Sequence, residues 1–451
     1  MKTKQVFNNA KWIIVCKIAQ SVLQFLVGII CARYLGPSNY GLINYASSVV
    51  SFALPIVKLG FDATLVRELI DNPKKEGEIL GTSLTLNFIA SLISMICVFT
   101  FVSVANAGEK ITIFVCVLYS LMLLFVVLEM SQYWFQYKLL SKYSSVVMLI
   151  SYFCVSVYKI FLLMTEKSVY WFAISHSIEY GIVGFSLLFI YFKLGGQKFR
   201  FSKDTAKKLL SRSKYYIVAS LLVMVFQNVG VIMLSNLSGH EETGFYTSAL
   251  TSASVLQFVY TAIMDSYRPL ILTAKKESEA SYEKNISGLY SIIIYLTLAQ
   301  SIAFTVFAKL IIYVLYGSEF LPATPVFRII VWFCAFSFMG TIRNIWLLAE
   351  DKQKYLWRIN LFGVVVNVIA NVILIPQFGA CGAATAAFAT QFLMNFVLGF
   401  FFKPIKKNNE LMMKGLNPKF AIHEFKSIWN LLIADKFLKK DADKENRENS
   451  I

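Results

Sequence analysis

Acidic side chains are scarce in this sequence: 26 Asp and Glu stand against 43 Lys and Arg, and charged residues of both signs fill only 15% of its 451 positions. Histidine is scarcer still, and His176, His240 and His423 are too scattered to share a metal ion. The seven cysteines, at 16, 31, 97, 116, 154, 334 and 381, include no close pair, so they offer neither a metal-binding spacing nor a disulfide framework and read as small apolar packing residues. No GxxxxGK[ST] phosphate loop occurs, which excludes ATP hydrolysis by this chain, and no cofactor is expected.

What the chain has in abundance is apolar length. It is 57% hydrophobic with a mean hydropathy of +0.61, more apolar surface than one soluble core can hide. A helix advances 1.5 Å per residue, so a hydrocarbon layer of about 30 Å needs about 20 apolar residues. Twelve stretches meet that requirement: 12–32, 42–60, 81–104, 111–131, 146–165, 169–192, 215–236, 245–267, 286–315, 326–349, 359–376 and 382–402. The pattern predicts an all-α polytopic membrane protein with about 12 transmembrane helices. Spans and short connectors consume nearly all residues before Lys403, leaving no room for a soluble catalytic domain, and the chain is read as not an enzyme.

A net charge of +17 would suit nucleic acid, but the placement of the charges argues otherwise. Of the 43 Lys and Arg, 34 fall in alternate gaps between the apolar stretches, whereas the opposite gaps hold only Arg33, Lys110 and Lys167. The positive-inside rule therefore places both termini in the cytoplasm. Trp12, Trp134, Trp171, Tyr215, Tyr216 and Trp357 stand near span ends as interfacial anchors. Lys2, Lys4 and Lys11 ahead of the first apolar run imitate a signal peptide, but the run is too long and lacks a small-residue cleavage site, so it reads as a retained first span.

The sequence also repeats itself. Shifting it by 203 residues superposes Lys11 on Lys214, Gln24 on Gln227, Gly36 on Gly239, Gly41 on Gly244 and Ala46 on Ala249, at the starts of the first and seventh spans. Six spans per half means that both halves enter the membrane in the same sense, as parallel repeats with a path between them. The expected organisation is a six-helix lobe over 1–192, a basic cytoplasmic linker over 193–214, a second six-helix lobe over 215–403 and a basic tail over 404–451.

Ionisable groups inside a bilayer cost several kcal/mol and tend to face a cavity. Lys17, Gln20, Gln24 and Gly28 follow at helical spacing on one face of the first span. Gln227, Asn360 and Asn367 offer further polar positions in the second half. For the amides, a cavity wall and interhelical packing both remain open. Lys58, Lys159 and Arg343 are the other candidate cavity cations, since ammonium and guanidinium groups suit an anionic headgroup. Glu179, with His176 one turn earlier, is either an ion-coupling acid or a partner for Lys17 or Lys159. Asp62, Glu68, Glu129 and Asp265 are expected in solvated loops. Pro55 is expected to kink the second span, and IPQFGACGAA at 375–384 to make a tight turn between the last two.

Asn9 and Trp12, ARYLGPSNYG at 32–41, LGFDATLVRE at 59–68, EMSQYWFQ at 129–136, YGSEFLPATPVFR at 316–328 and LIPQFGACGAATAA at 374–387 together resemble the Wzx-type polysaccharide flippases. These belong to the multidrug/oligosaccharidyl-lipid/polysaccharide exporter superfamily. The resemblance covers the chain up to Lys403. It implies two six-helix lobes forming a V around a cationic cavity, in the bacterial inner membrane. It further implies a transporter that moves an undecaprenyl-pyrophosphate-linked oligosaccharide between leaflets for O-antigen, capsule or related lipopolysaccharide synthesis. A multidrug extruder of the same superfamily is the alternative, although intramembrane cations outnumber acids here. A membrane polysaccharide polymerase fits less well, because the outer gaps are short. In the tail, Pro418, Ala421, Phe425, Ile428, Trp429 and Leu432 share a helical face. They are expected to lie on anionic membrane lipids or to dock a polysaccharide polymerase or chain-length regulator.

Overall fold

The computed structural model describes residues 2–422 and residue 426, and within them the chain is helical with no β-strand. Among the described residues, nine helical runs are long and apolar enough to cross a membrane. Two of these, Val15–Lys58 and Gln353–Phe401, have 44 and 49 residues, about twice what a bilayer needs. Each is divided at a glycine: Gly36 (φ 68°, ψ 172°) in the first and Gly379 (φ 51°, ψ −128°) in the last. Positive φ is cheap only for glycine, so these two residues let apolar stretches 1 and 2, and 11 and 12, follow one another almost without a loop. Gly36 alone leaves helical φ/ψ inside Lys2–Lys58, and Pro55 lies within the helical run that follows it. The stretch expected as one span at 245–267 is divided into His240–Ala253 and Gln257–Glu277, the latter carrying Asp265, Arg268, Lys275 and Lys276.

The chain forms two compact units that share its sequence in alternation. The first contains residues 1–252, 308–327 and 364–387. Its core gathers Tyr45, Val50, Val115, Cys116, Leu123 and Ala173. A second cluster collects Phe61, Leu65, Leu80, Phe135, Leu187 and Tyr191. Along helix Glu76–Ala105, the buried Ser83, Asn87, Ser91 and Ser94 form a small polar face, the kind of surface that lets helices approach in lipid. Its opposite face, with Ile96 at 66% and Val104 at 76% exposure, is apolar and open, as a lipid-facing surface is.

Within this unit the repeat becomes visible as geometry. Gly36 and Gly239, matched by the 203-residue shift, adopt nearly the same backbone conformation, Gly239 having φ 91° and ψ 174°. Their helices then meet reciprocally. A Cβ on Gly41 would overlap the His240 carbonyl and lie 2.7 Å from the Gly244 nitrogen, and one on Gly244 would overlap the Pro37 carbonyl and lie 3.0 Å from the Pro37 Cα. Pro37 and His240 are themselves 203 residues apart, so each half presents the same four-residue face to the other. Arg33, one of the few cations of the opposite gaps, donates from Nε to the Leu315 carbonyl at 2.7 Å and from Nη2 to the Val314 carbonyl, where a helix end leaves acceptors free.

The basic segment after Lys193 lies as a strap along the start of helix Glu76–Ala105. The Arg200 amide donates to the Gly77 carbonyl at 3.1 Å, and the Ser202 amide to Thr82 Oγ1 at 3.1 Å. Gly77 and Gly81 make room for it: a Cβ on Gly81 would lie 2.6 Å from the Arg200 nitrogen. Helix Lys203–Ser238 then starts at a Ser202 cap and runs through residues 214 and 215 without interruption. Its Arg212 and Lys208 hold Glu68, whose side chain is 3% exposed. Glu68, expected in a solvated loop, is therefore buried, because its cations arrive from 140 or more residues downstream. Trp134, expected as an interfacial anchor, is 3% exposed and donates from Nε1 to Glu76 at 2.7 Å.

The second unit contains residues 253–307, 328–363 and the segment from Phe388 onward. Tyr290, Ile293, Ile330 and Trp346 are fully buried there, and Tyr290 donates to Asn408 Oδ1 at 2.9 Å. Helix Lys406–Gly415 packs Leu411 and Met412 into this core. Phe425, Ile428, Trp429 and Leu432 of the expected amphipathic tail helix lie outside the described residues, as does His423.

Candidate functional site

The first unit encloses a cavity of about 400 Å³. One wall comes from the first span, where Gln24, Gly28, Cys31 and Leu35 follow at helical spacing, and from the second, where Tyr40, Asn44, Ser47 and Ser51 do the same. Helix Ser141–Met164 supplies Tyr152 and Lys159, two turns apart. Helix Val169–Lys193 supplies Phe172, His176, Glu179 and Tyr180, while Tyr119 and Met122 complete the lining. Four tyrosine hydroxyls, two amides and two serines thus share one hollow with three ionisable side chains.

The charges are unequally partnered. Glu179 Oε2 lies 3.8 Å from His176 Nδ1, and the His176 ring rests against Tyr119 with centroids 4.9 Å apart. Ser151 donates to the Glu179 carbonyl at 2.8 Å, fixing that turn of helix. Lys159 forms no ion pair among the described residues, yet its charge acts on both Glu179 and His176. Glu179 also feels Glu129, which is 3.8 Å from Lys58 Nζ. The result is one carboxyl group and one ammonium without an ion-pair partner among the described residues, on facing helices of a partly closed hollow, a setting that can receive an anion at the ammonium.

Of the residues singled out from sequence, Gln24, Lys159 and Glu179 come together here. Lys17 is exposed and Gln20 half-buried on the same helix, and neither lines the cavity. Lys58 is occupied by Glu129. Gln227 is exposed; Asn367 is buried and accepts from Asn371 Nδ2 at 2.9 Å, in the first unit but outside the cavity lining. Asn360 and Arg343 belong to the second unit, where Asn360 is half-buried. Arg343 is 3% exposed and donates from Nη1 to the Met394 carbonyl at 2.9 Å, an acceptor that the π-helical turn Leu393–Val397 presents. Sequence reasoning singled out neither Tyr119, Tyr152 and Tyr180 nor the stripe Tyr40, Asn44, Ser47 and Ser51, although the stripe's spacing of four, three and four residues was readable.

Residues 6–275, well over half of the chain, match the sequence profile of the family described as polysaccharide biosynthesis protein. The chain belongs to this family. It is 27% identical over 198 residues to the probable low-salt glycan biosynthesis flippase of Haloferax volcanii. That match takes in 44% of this chain and 42% of that protein, so it spans less than half the length of that relative. The capsular polysaccharide biosynthesis protein CapF of Staphylococcus aureus is 21% identical over 88% of this chain and 99% of its own. Among solved structures, the fold matches the lipid II flippase MurJ with a TM-score of 0.69 at 15% identity, covering 94% of this chain and 93% of that one. An inward-facing multidrug transporter of the MATE family matches with a TM-score of 0.67 at 14% identity, over 88% of this chain and 96% of that one. This polysaccharide biosynthesis family member is thus a multi-pass membrane protein with the fold seen in those two transporter structures.

Proposed function

We propose that the protein carries an undecaprenyl-pyrophosphate-linked oligosaccharide repeat unit across the bacterial inner membrane for synthesis of a surface polysaccharide. In this reading both termini are cytoplasmic, the two six-helix repeats are the lobes of an alternating-access transporter, and the cargo passes between them. The observation that carries it is the unpaired Lys159 in a hollow lined by tyrosines, amides and hydroxyls. The ammonium suits a phosphate, aromatic faces suit sugar rings, and the amides and hydroxyls suit sugar hydroxyls. Family membership and the resemblance to a glycan biosynthesis flippase support the same substrate class. Lys58, Arg343, Lys17 and the amides Gln20, Gln24, Gln227, Asn360 and Asn367 are proposed as secondary contacts along the path. Glu179, one turn from His176, is proposed as the residue that couples transport to an ion gradient. The polymerase or chain-length regulator that takes the product at the outer face is the proposed partner.

The test is deletion of the gene in its host. Loss of surface polymer with completed lipid-linked units retained in the inner leaflet is expected, with restoration by the wild-type chain. Single units exposed on the outer surface would indicate a polymerase instead. Unchanged polymer with new drug sensitivity would indicate an extruder, the reading that the carboxylate of Glu179 in the cavity would then serve.

A further inference from the structure

Away from the cavity, His240 sits at the reciprocal contact between the two repeats, and nothing in the transport reading uses it. It opens helix His240–Ala253, just after Gly239. Its Nε2 is 2.9 Å from Thr112 Oγ1 and its Nδ1 is 2.7 Å from Ser235 Oγ. The tautomer follows by counting protons. Thr112 donates its single hydroxyl proton to Glu109 Oε2 at 2.8 Å, so toward His240 it can only accept. Nε2 must then carry a hydrogen, and Ser235 donates to a bare Nδ1. Both nitrogens of a neutral imidazole are satisfied, and the ring lies 5.5 Å from that of Tyr45.

Of the neighbouring groups, Glu109 favours the charged ring, and the others favour the neutral form or are committed elsewhere. Tyr45 donates to Asn106 Oδ1 at 2.6 Å. Asn106 Nδ2 reaches Asn236 Oδ1 at 3.3 Å, tying segment 106–112 to the end of helix Lys203–Ser238. On its own helix, Glu241 is exposed, and Glu242 accepts from the Ala380 amide at 2.6 Å. Glu109 is the carboxylate within ion-pair range among the described residues, at 3.6 Å, but it is 55% exposed and therefore weakly compensating. The positive end of the helix dipole opposes an imidazolium at this position.

We propose that His240 is a proton-binding site that works as a latch: as a neutral ring it clasps segments 36–45, 106–112 and 235–244 together, and uptake of one proton from water at Nδ1 releases them. Burial holds the imidazole below its ordinary value, with Glu109 opposing in part. Once released to water the ring returns to about 6.5, so protons bind the released state more tightly and acid favours it. This rests on the alternating-access reading for its role, and on the positive-inside orientation for facing the outer, acidic compartment. The contacts themselves need neither.

The experiment uses the full chain in lipid nanodiscs, without its seven native cysteines, spin-labelled at K110C and L237C, two exposed positions beside the contact. Distances are measured by double electron–electron resonance from pH 8 to pH 5. A longer-distance population that grows by up to about tenfold per pH unit below about 6.5, and that no longer responds to pH in His240→Gln, is the expected result. Glu109→Gln, which keeps the imidazole, should enlarge the acid response. A distance distribution unchanged by pH in the parent, or a response retained in His240→Gln, or a response diminished in Glu109→Gln, overturns the latch whatever the cargo. Failure of glycan transport in cells would overturn the transport reading and leave this measurement standing.

Discussion

Gly41 and Gly244 occupy equivalent positions in the two repeats and pack against each other's helix, so that a Cβ on Gly41 would lie 2.7 Å from the backbone nitrogen of Gly244. The obstacles on both sides are backbone atoms, which cannot rotate away as a side chain would. Gly41→Ala and Gly244→Ala should therefore each destabilise the protein by about 1–3 kcal/mol, with nearly equal effects because the contact is reciprocal. Thermal unfolding of the purified variants in detergent checks this, and markedly unequal losses would argue against a symmetric contact.

Lys159→Ala should abolish polysaccharide export while leaving protein abundance at the wild-type level, since the ammonium has no ion-pair partner to strand. Lys159→Arg should retain part of the activity. Arg343→Ala should behave differently: its guanidinium is buried in the second unit on the Met394 carbonyl, so abundance falls together with export. Immunoblotting of membranes beside polymer quantification separates the two patterns.

Glu68→Ala should destabilise the first unit by about 2 kcal/mol, because it strands Arg212 and Lys208 beside an emptied buried site, with half-exposure of both cations moderating the cost. Charge reversal at Arg212 should do more harm than Arg212→Gln. Detergent-dependent melting temperatures would show the order.

A pH dependence belongs to Glu350, which follows helix Ala323–Ala349. Burial works against its carboxylate, but hydrogen bonds from Lys275, at 2.6 Å, and Tyr282 outweigh it and hold the group below its ordinary value. A depressed carboxyl stabilises the fold fully above its unfolded value of about 4.5, and that contribution is lost as pH falls through the folded value. Glu350→Gln should lower the melting temperature at pH 7, and its difference from wild type should shrink as pH falls below about 4.5 and vanish only below the depressed folded value.

Much of the helical fold was legible because lipid imposes one-dimensional rules: span length, and glycines where two spans adjoin. Gly379 fell inside a motif already read as a tight turn, and Gly36 in the gap between the first two apolar stretches. The cavity was legible in part. Gln24, Lys159 and Glu179 stood out as polar residues in apolar runs, whereas Tyr119, Tyr152 and Tyr180 look like ordinary membrane aromatics until three helices converge. Residues with distant partners were misjudged. Trp134 resembles an interfacial anchor until Glu76 is found opposite it, and Glu68 resembles a loop acid until Arg212 arrives from the far side of the strap. The first long helix is divided at Gly36, where glycine permits positive φ, rather than at a residue that local composition alone marks.

Helix Lys203–Ser238 is pinned at both extremities: Arg212 and Lys208 bind Glu68 near one end, and Ser235 and Asn236 meet His240 and Asn106 at the other. Thirty-six residues make a rod of about 54 Å with no proline within it. Such a rod is a mechanical lever. The strap at its basic end and the reciprocal glycine contact at the other are thus joined by one unbroken helix, with no turn or proline between them to absorb a relative displacement.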